Sequence, residues 1–114
     1  MGINMAAFNG NLTGDPKKFG SNENATLAFS IAVNCRVYSD GKWVDRPFFM
    51  DCTIFGKRAV ALSGILVKGM QVTVMGRIEP NNYVNRDGNT VRALRMIVNE
   101  IALPPRAKND SVSW

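Results

Sequence analysis

The chain has no histidine and only two cysteines in 114 residues. Without histidine it lacks the usual general base near neutral pH and the commonest metal ligand. Cys35 and Cys52 stand too far apart for a CxxC redox pair or a metal knuckle. Each falls in a strand-like segment among apolar neighbours, which predicts two small buried hydrophobes, and a domain of this size needs no disulfide between them. Acidic side chains are also few: 9 Asp plus Glu against 14 Lys plus Arg leave a net charge of +5. That excess favours a polyanionic partner. No apolar run is long enough to span a membrane, and the amino-terminal residues show no signal core, so the expected location is the cytoplasm. Asp51, Glu79 and Glu100 fall in different segments and form no metal motif. Gly56-Lys57 is not a phosphate loop, because position 51, where the preceding glycine would stand, is Asp. The expectation is a protein with no enzymatic activity, no cofactor and no metal.

What is present is alternation. The chain is 46% hydrophobic, enough to build the core of one domain. Ile3 to Thr13 reads as a strand with a bend or bulge at Gly10. Thr13-Gly14-Asp15-Pro16 is a turn, and the polar stretch from Lys17 to Asn24 fits a short edge strand and loop. Ala25 to Arg36 places Leu27, Phe29, Ile31, Val33 and Cys35 on one face, as a half-buried strand does. Val37 to Arg46 is a polar hairpin with Asp40-Gly41 at its tip. Phe48 to Phe55 is a third strand. Lys57 to Lys68 is the one convincing helix: Ala59, Leu62 and Leu66 form its apolar stripe with Ile65 beside it, and Gly69 suits its end. Gln71 to Ile78 alternates again, with Val72, Val74 and Ile78 facing inward. A second hairpin follows from Glu79 to Thr90, turning at Asp87-Gly88. Val91 to Ile101 is the last strand, with Leu94, Met96 and Val98 on one face. The expected architecture is all-β with one helix: a five-stranded OB-fold barrel, helix between strands three and four. Residues 1–103 form the domain, and 104–114 are expected to be a short flexible tail.

The third strand carries the clearest functional signal. Side chains alternate between faces, so Phe48, Met50, Cys52 and Ile54 share one face. Phe49, Asp51, Thr53 and Phe55 share the other, which is polar. Two phenyl rings on a wetted face do nothing for folding. They fit a flat partner, and in a basic protein that partner is a single-stranded nucleic acid.

The ordered set of local patterns resembles the bacterial-type single-stranded DNA-binding proteins, such as a short phage or plasmid version. The matching pieces are Gly10-Asn11-Leu12-Thr13-Gly14-Asp15-Pro16, Phe29-Ser30-Ile31-Ala32-Val33-Asn34, Ile54-Phe55-Gly56-Lys57, and Lys68-Gly69 with Val72, Val74 and Gly76. Tyr83 ahead of Asp87-Gly88 completes them, and the likeness covers residues 3 to 103. Turn chemistry, strand period and spacing agree with one another across that length.

The resemblance implies base stacking on aromatics of the third strand and of both hairpins. Phe49, Phe55 and Tyr83 fall on three such positions. The position opening the first hairpin lands near Val37, which points to the adjacent Tyr38, with Trp43 as a second choice on the other arm. Where relatives carry tryptophans this chain has Phe and Tyr, which weakens stacking without abolishing it. For phosphate contact the candidates are Arg36, Arg46, Arg86, Lys42 and Lys57, while Arg77 and Arg95 are expected to pair with surface acids. The implied function is sequence-independent binding and protection of single-stranded DNA in replication, recombination or repair. The implied assembly is a homotetramer, with Ile3, Met5 and Ala7 at a subunit contact. Relatives recruit replication and repair proteins through an acidic C-terminal tip, and Ser111-Val112-Ser113-Trp114 has none, which leaves such partners in doubt. The competing classes are an OB-fold adaptor of the primosomal type and a single-stranded RNA-binding protein.

Overall fold

The computed structural model describes residues 2–104. The tail, with Asp110 and Trp114, lies outside the described residues. Among the described residues there are ten strands: β1 (Ala6–Leu12), β2 (Lys17–Phe19), β3 (Thr26–Val33), β4 (Arg36–Ser39), β5 (Lys42–Asp45), β6 (Phe48–Phe55), β7 (Gln71–Pro80), β8 (Tyr83–Val84), β9 (Thr90–Val91) and β10 (Leu94–Ala102). One α-helix, α1 (Lys57–Ser63), joins β6 to β7, and a single 3-10 turn covers Asn22–Asn24.

Five strands close a barrel. β1 pairs with β7, β7 with β10, β10 with β6, β6 with β3, and β3 returns to β1. All of these pairs are antiparallel except β10 with β6. This is the OB-fold expected from the sequence, with the helix after the third barrel strand. Closure happens at Gly10, where the bend was expected. There β1 faces Val72 of β7 on one side and Val33 of β3 on the other. A Cβ at Gly10 would sit 2.5 Å from the Ala32 carbonyl oxygen, so the two strands can approach only because the side chain is missing.

The core follows the alternation of β3. Leu27, Phe29, Ile31 and Val33 are buried, while Thr26, Ala28, Ser30 and Ala32 are half-exposed on the outer face. Ile54, Val72, Val74 and Met96 complete the interior. α1 plugs one end with Ala59 and Leu62.

Several expectations need correction. The helix stops at Ser63 instead of Lys68, because Gly64 follows and glycine disfavours helix. The Leu62 carbonyl still accepts hydrogen bonds from the Ile65 and Leu66 amides at 3.0 and 2.9 Å, and that turn carries Leu66 into the core. Cys35 sits between β3 and β4 and is only half-buried, because the barrel ends at Val33; Cys52 is fully buried. The last strand starts at Leu94, which is exposed; Ile97, opposite the buried Thr53 of β6, is itself buried, and a bulge follows between Val98 and Glu100. On β6 the outer face is not uniformly wet. Thr53 is buried because β3 flanks it at Ala28 and β10 at Ile97. On the inner face Phe48 reaches the barrel rim, half covered by an edge-on contact with Phe8 at 5.6 Å.

Candidate nucleic-acid interface

The outer face of the sheet is built by register. Phe49 and Phe55 are 69% and 49% exposed at the two ends of β6. Across the ladder Phe49 stands opposite Ala32, Asp51 opposite Ser30, Thr53 opposite Ala28 and Phe55 opposite Thr26. The outward side chains of β3 are therefore small. They leave a low floor between the two rings, and over its Thr26, Ala28 and Ser30 part a groove of about 580 Å³ opens. It runs from the Thr13–Asp15 bend across β2, β3 and β6 to Arg95 and Asn81. Asp15 holds the bend in place by accepting a hydrogen bond from the Lys68 amide at 2.8 Å.

A third ring belongs to this face and escaped sequence reasoning. Phe19 on β2 is 57% exposed and lines the groove. The register places it opposite Thr26, which is itself opposite Phe55, so Phe19, Thr26 and Phe55 form one row across three strands. The only signal was a lone aromatic in a polar stretch whose pairing partner was not known.

Both hairpins form. In the first, Tyr38 stands opposite Trp43, and their rings meet edge to face at 5.4 Å. Asp40 and Gly41 both have positive φ, 52° and 80°, as a two-residue I′ turn requires. Val37 points the other way and is half-buried, while Tyr38 and Trp43 are exposed. The second hairpin puts Tyr83 on β8, exposed and without a ring partner among the described residues. Its turn is tied by Asn85, whose Oδ1 accepts from the Asp87 and Asn89 amides, both at 3.0 Å. The structure thus gathers Phe49 and Phe55 on one face, joins Tyr38 to Trp43 on one hairpin, and leaves Tyr83 on the other.

The basic residues divide into two groups. Arg36 lies 3.6 Å from Asp45 and Lys57 3.8 Å from Glu23, and all four side chains are largely exposed. Exposed pairs of this kind contribute little, about 1 kcal/mol or less, so either cation can turn to a phosphate. Lys42, Arg46 and Arg86 have no carboxylate within 4.0 Å among the described residues. Arg77 and Arg95 do pair with an acid, and it is the same one. Glu79 Oε1 accepts from Arg95 Nε and Nη2 at 2.9 and 2.6 Å, and Arg77 Nη2 lies 3.8 Å from Oε2. Held there, Arg95 lines the groove and lies 6.0 Å from the Phe55 ring centre, a cation-π contact.

Among the described residues no group of three His, Cys, Asp or Glu side chains could hold a metal, and no helix is long and apolar enough to cross a membrane.

Fold and surface together define an OB-fold barrel with an aromatic-lined open face. Residues 3–104 match the single-strand binding protein family, and the chain belongs to it. It is similar to a single-stranded DNA-binding protein of Borreliella burgdorferi, 37% identical over 92 residues, 80% of this chain and 62% of that one. A protein of the same name from Mycobacterium leprae is 32% identical over 96 residues, 81% of this chain and 57% of the relative. The chain thus spans between about half and two-thirds of the length of these curated relatives. A small single-stranded DNA-binding protein of Streptomyces coelicolor has the same fold, with a TM-score of 0.76 over 91% of this chain and 96% of that one at 23% identity.

Proposed function

We propose that this chain binds and protects single-stranded DNA during replication, recombination or repair, acting as a cytoplasmic binding protein and not as an enzyme. The observation that carries the reading is the exposure of Phe49 and Phe55 on one face of β6, beside a floor of small side chains. Within a protein of the single-strand binding family, rings so placed have a partner that is flat and unpaired. Phe49, Phe55, Tyr83, Trp43 and Tyr38 stack on bases, and Arg36, Lys42, Arg46, Lys57 and Arg86 neutralise phosphates. Phe49 and Phe55 lie about 20 Å apart along the strand, so they serve different nucleotides. Duplex DNA hides its base faces and is a poor ligand for this surface.

Assembly into a homotetramer belongs to the same proposal. Ile3 and Met5 are almost fully exposed, and among the described residues the stretch Ala6–Asn9 of β1 is paired on one side only, to β7. An open apolar strand edge of this kind is covered by a second copy.

Fluorescence anisotropy of labelled oligonucleotides tests the function. Oligo(dT) is expected to bind tightly and the same length of duplex weakly. Equal affinity for both would refute stacking, and stronger binding to oligo(U) would move the assignment to RNA. Little binding to any strand would favour an adaptor.

A further inference from the structure

One side chain on the open face opposes the attraction that the others supply. Asp51 is exposed on β6, two residues from Phe49 and four from Phe55. Among the described residues no Lys or Arg nitrogen lies within 4.0 Å of its carboxylate, and no hydrogen bond from a side chain reaches it. Its partner across the parallel ladder is Arg95, the natural counter-ion, but Arg95 gives both Nε and Nη2 to Glu79. On the other side stands Ser30, half-exposed and small. The carboxylate therefore projects into the groove without a structural task.

We propose that Asp51 reads base edges: its carboxylate accepts a hydrogen bond from the exocyclic amino group of an unpaired base stacked on Phe49, and so biases this surface toward amine-bearing bases over thymine. The inference rests on the reading that single-stranded DNA lies on this face. Two residues along a strand span about 6.6 Å, which is within reach of the edge of a base lying on the Phe49 ring. The floor beside it, Ala32 and Ser30, is low enough to admit that edge. Unpaired bases splayed onto aromatic side chains offer their Watson–Crick edges for hydrogen bonding. Cytosine presents the N4 amino group there, a recognised donor to Asp or Glu. Thymine presents O4 at the same place, and its one donor on that edge, N3–H, sits between two carbonyl oxygens that repel a carboxylate, so the contact is weaker. A charged acceptor strengthens the favourable case, and solvent exposure keeps the bias to a few-fold. Binding remains tolerant of sequence, with a tilt in composition.

The test compares oligo(dC) with oligo(dT) of equal length, at mildly alkaline pH to keep cytosine neutral, for the full chain and for Asp51→Ala. The quantity read is the ratio of the two dissociation constants, dT over dC. Removing the carboxylate is expected to lower that ratio by about threefold or more, less than a good bidentate base contact gives because this site is exposed. Affinity for oligo(dT) rises at the same time, because a charge repelled by phosphate has gone. If both oligonucleotides tighten equally and the ratio stays put, Asp51 only repels phosphate and the inference fails. If the unaltered chain binds neither oligonucleotide, the reading of the face itself fails, a result distinct from the first. The side chain is exposed, so Asp51→Ala is expected to keep its melting temperature, which circular dichroism checks.

Discussion

At the scale of the residue, each aromatic has its own expected contribution. Base stacking on a side chain is worth about 1–3 kcal/mol by alanine substitution. Phe49→Ala and Tyr83→Ala are each expected to weaken oligo(dT) binding by about five- to 150-fold. Both side chains are exposed, so thermal stability should hold. Unchanged affinity in both variants would count against stacking. Phe19→Ala is expected to weaken binding as well, since its ring extends the row through Thr26 to Phe55. Cys52 carries a different prediction. Burial first, and the neighbouring Asp51 charge second, push its thiol up from 9.0 to about 12. The folded state thus keeps a proton that the unfolded chain releases above about pH 9. The stability this contributes is complete below pH 9 and is lost as the pH climbs toward 12. Urea melts at about pH 8 and about pH 10.5 should show a smaller loss of stability for Cys52→Ala than for the unaltered chain. Equal losses would contradict it.

At the scale of the element, strand periodicity was legible wherever one face met the core and the other met water. β3 is the clearest case, with buried and half-exposed positions in strict alternation. On β6 the pattern misleads at one outer position: Thr53 is polar and buried, between Ala28 of β3 and the buried Ile97 of β10. The helix end was misplaced for a related reason. Leu66 keeps the helical stripe by being drawn into the core, although the helix has ended at Ser63. Leu66→Ala is expected to cost about 2–5 kcal/mol, as other buried leucine truncations do. Gly10→Ala tests the closing of the barrel. The added methyl would lie 2.5 Å from a backbone oxygen, so β1 and β3 would have to part. A clear fall in melting temperature is expected, and an unchanged one would show that the closure is looser than its geometry implies.

At the scale of the whole molecule, affinity should depend on salt. Five basic side chains are assigned to phosphate. If all five engage, the logarithm of the binding constant should fall with the logarithm of salt concentration with a slope of about −3.5. A flat response would remove the electrostatic half of the mechanism. Arg95 is left out of that count because Glu79 accepts hydrogen bonds from both its Nε and its Nη2. Assembly is read by light scattering: a tetramer mass is expected, and a monomer at micromolar concentration would remove the subunit contact from the proposal. Charge to Met5 (Met5→Asp) should dissociate the assembly, since the exposed side chain lies beside the open edge of β1.

The order of elements, the two hairpin turns and the wet position of Phe49 and Phe55 were determined by the sequence itself. Each depends on neighbours within a few residues, through turn dihedrals or the two-residue period of a strand. Tertiary structure alone decided which strands became neighbours. That placed Phe19 in line with Phe55, tied Arg95 to Glu79, and left Asp51 without a counter-ion among the described residues. No local rule reports such things, because register between distant segments is set only when the barrel closes and every strand must bury its apolar face at once.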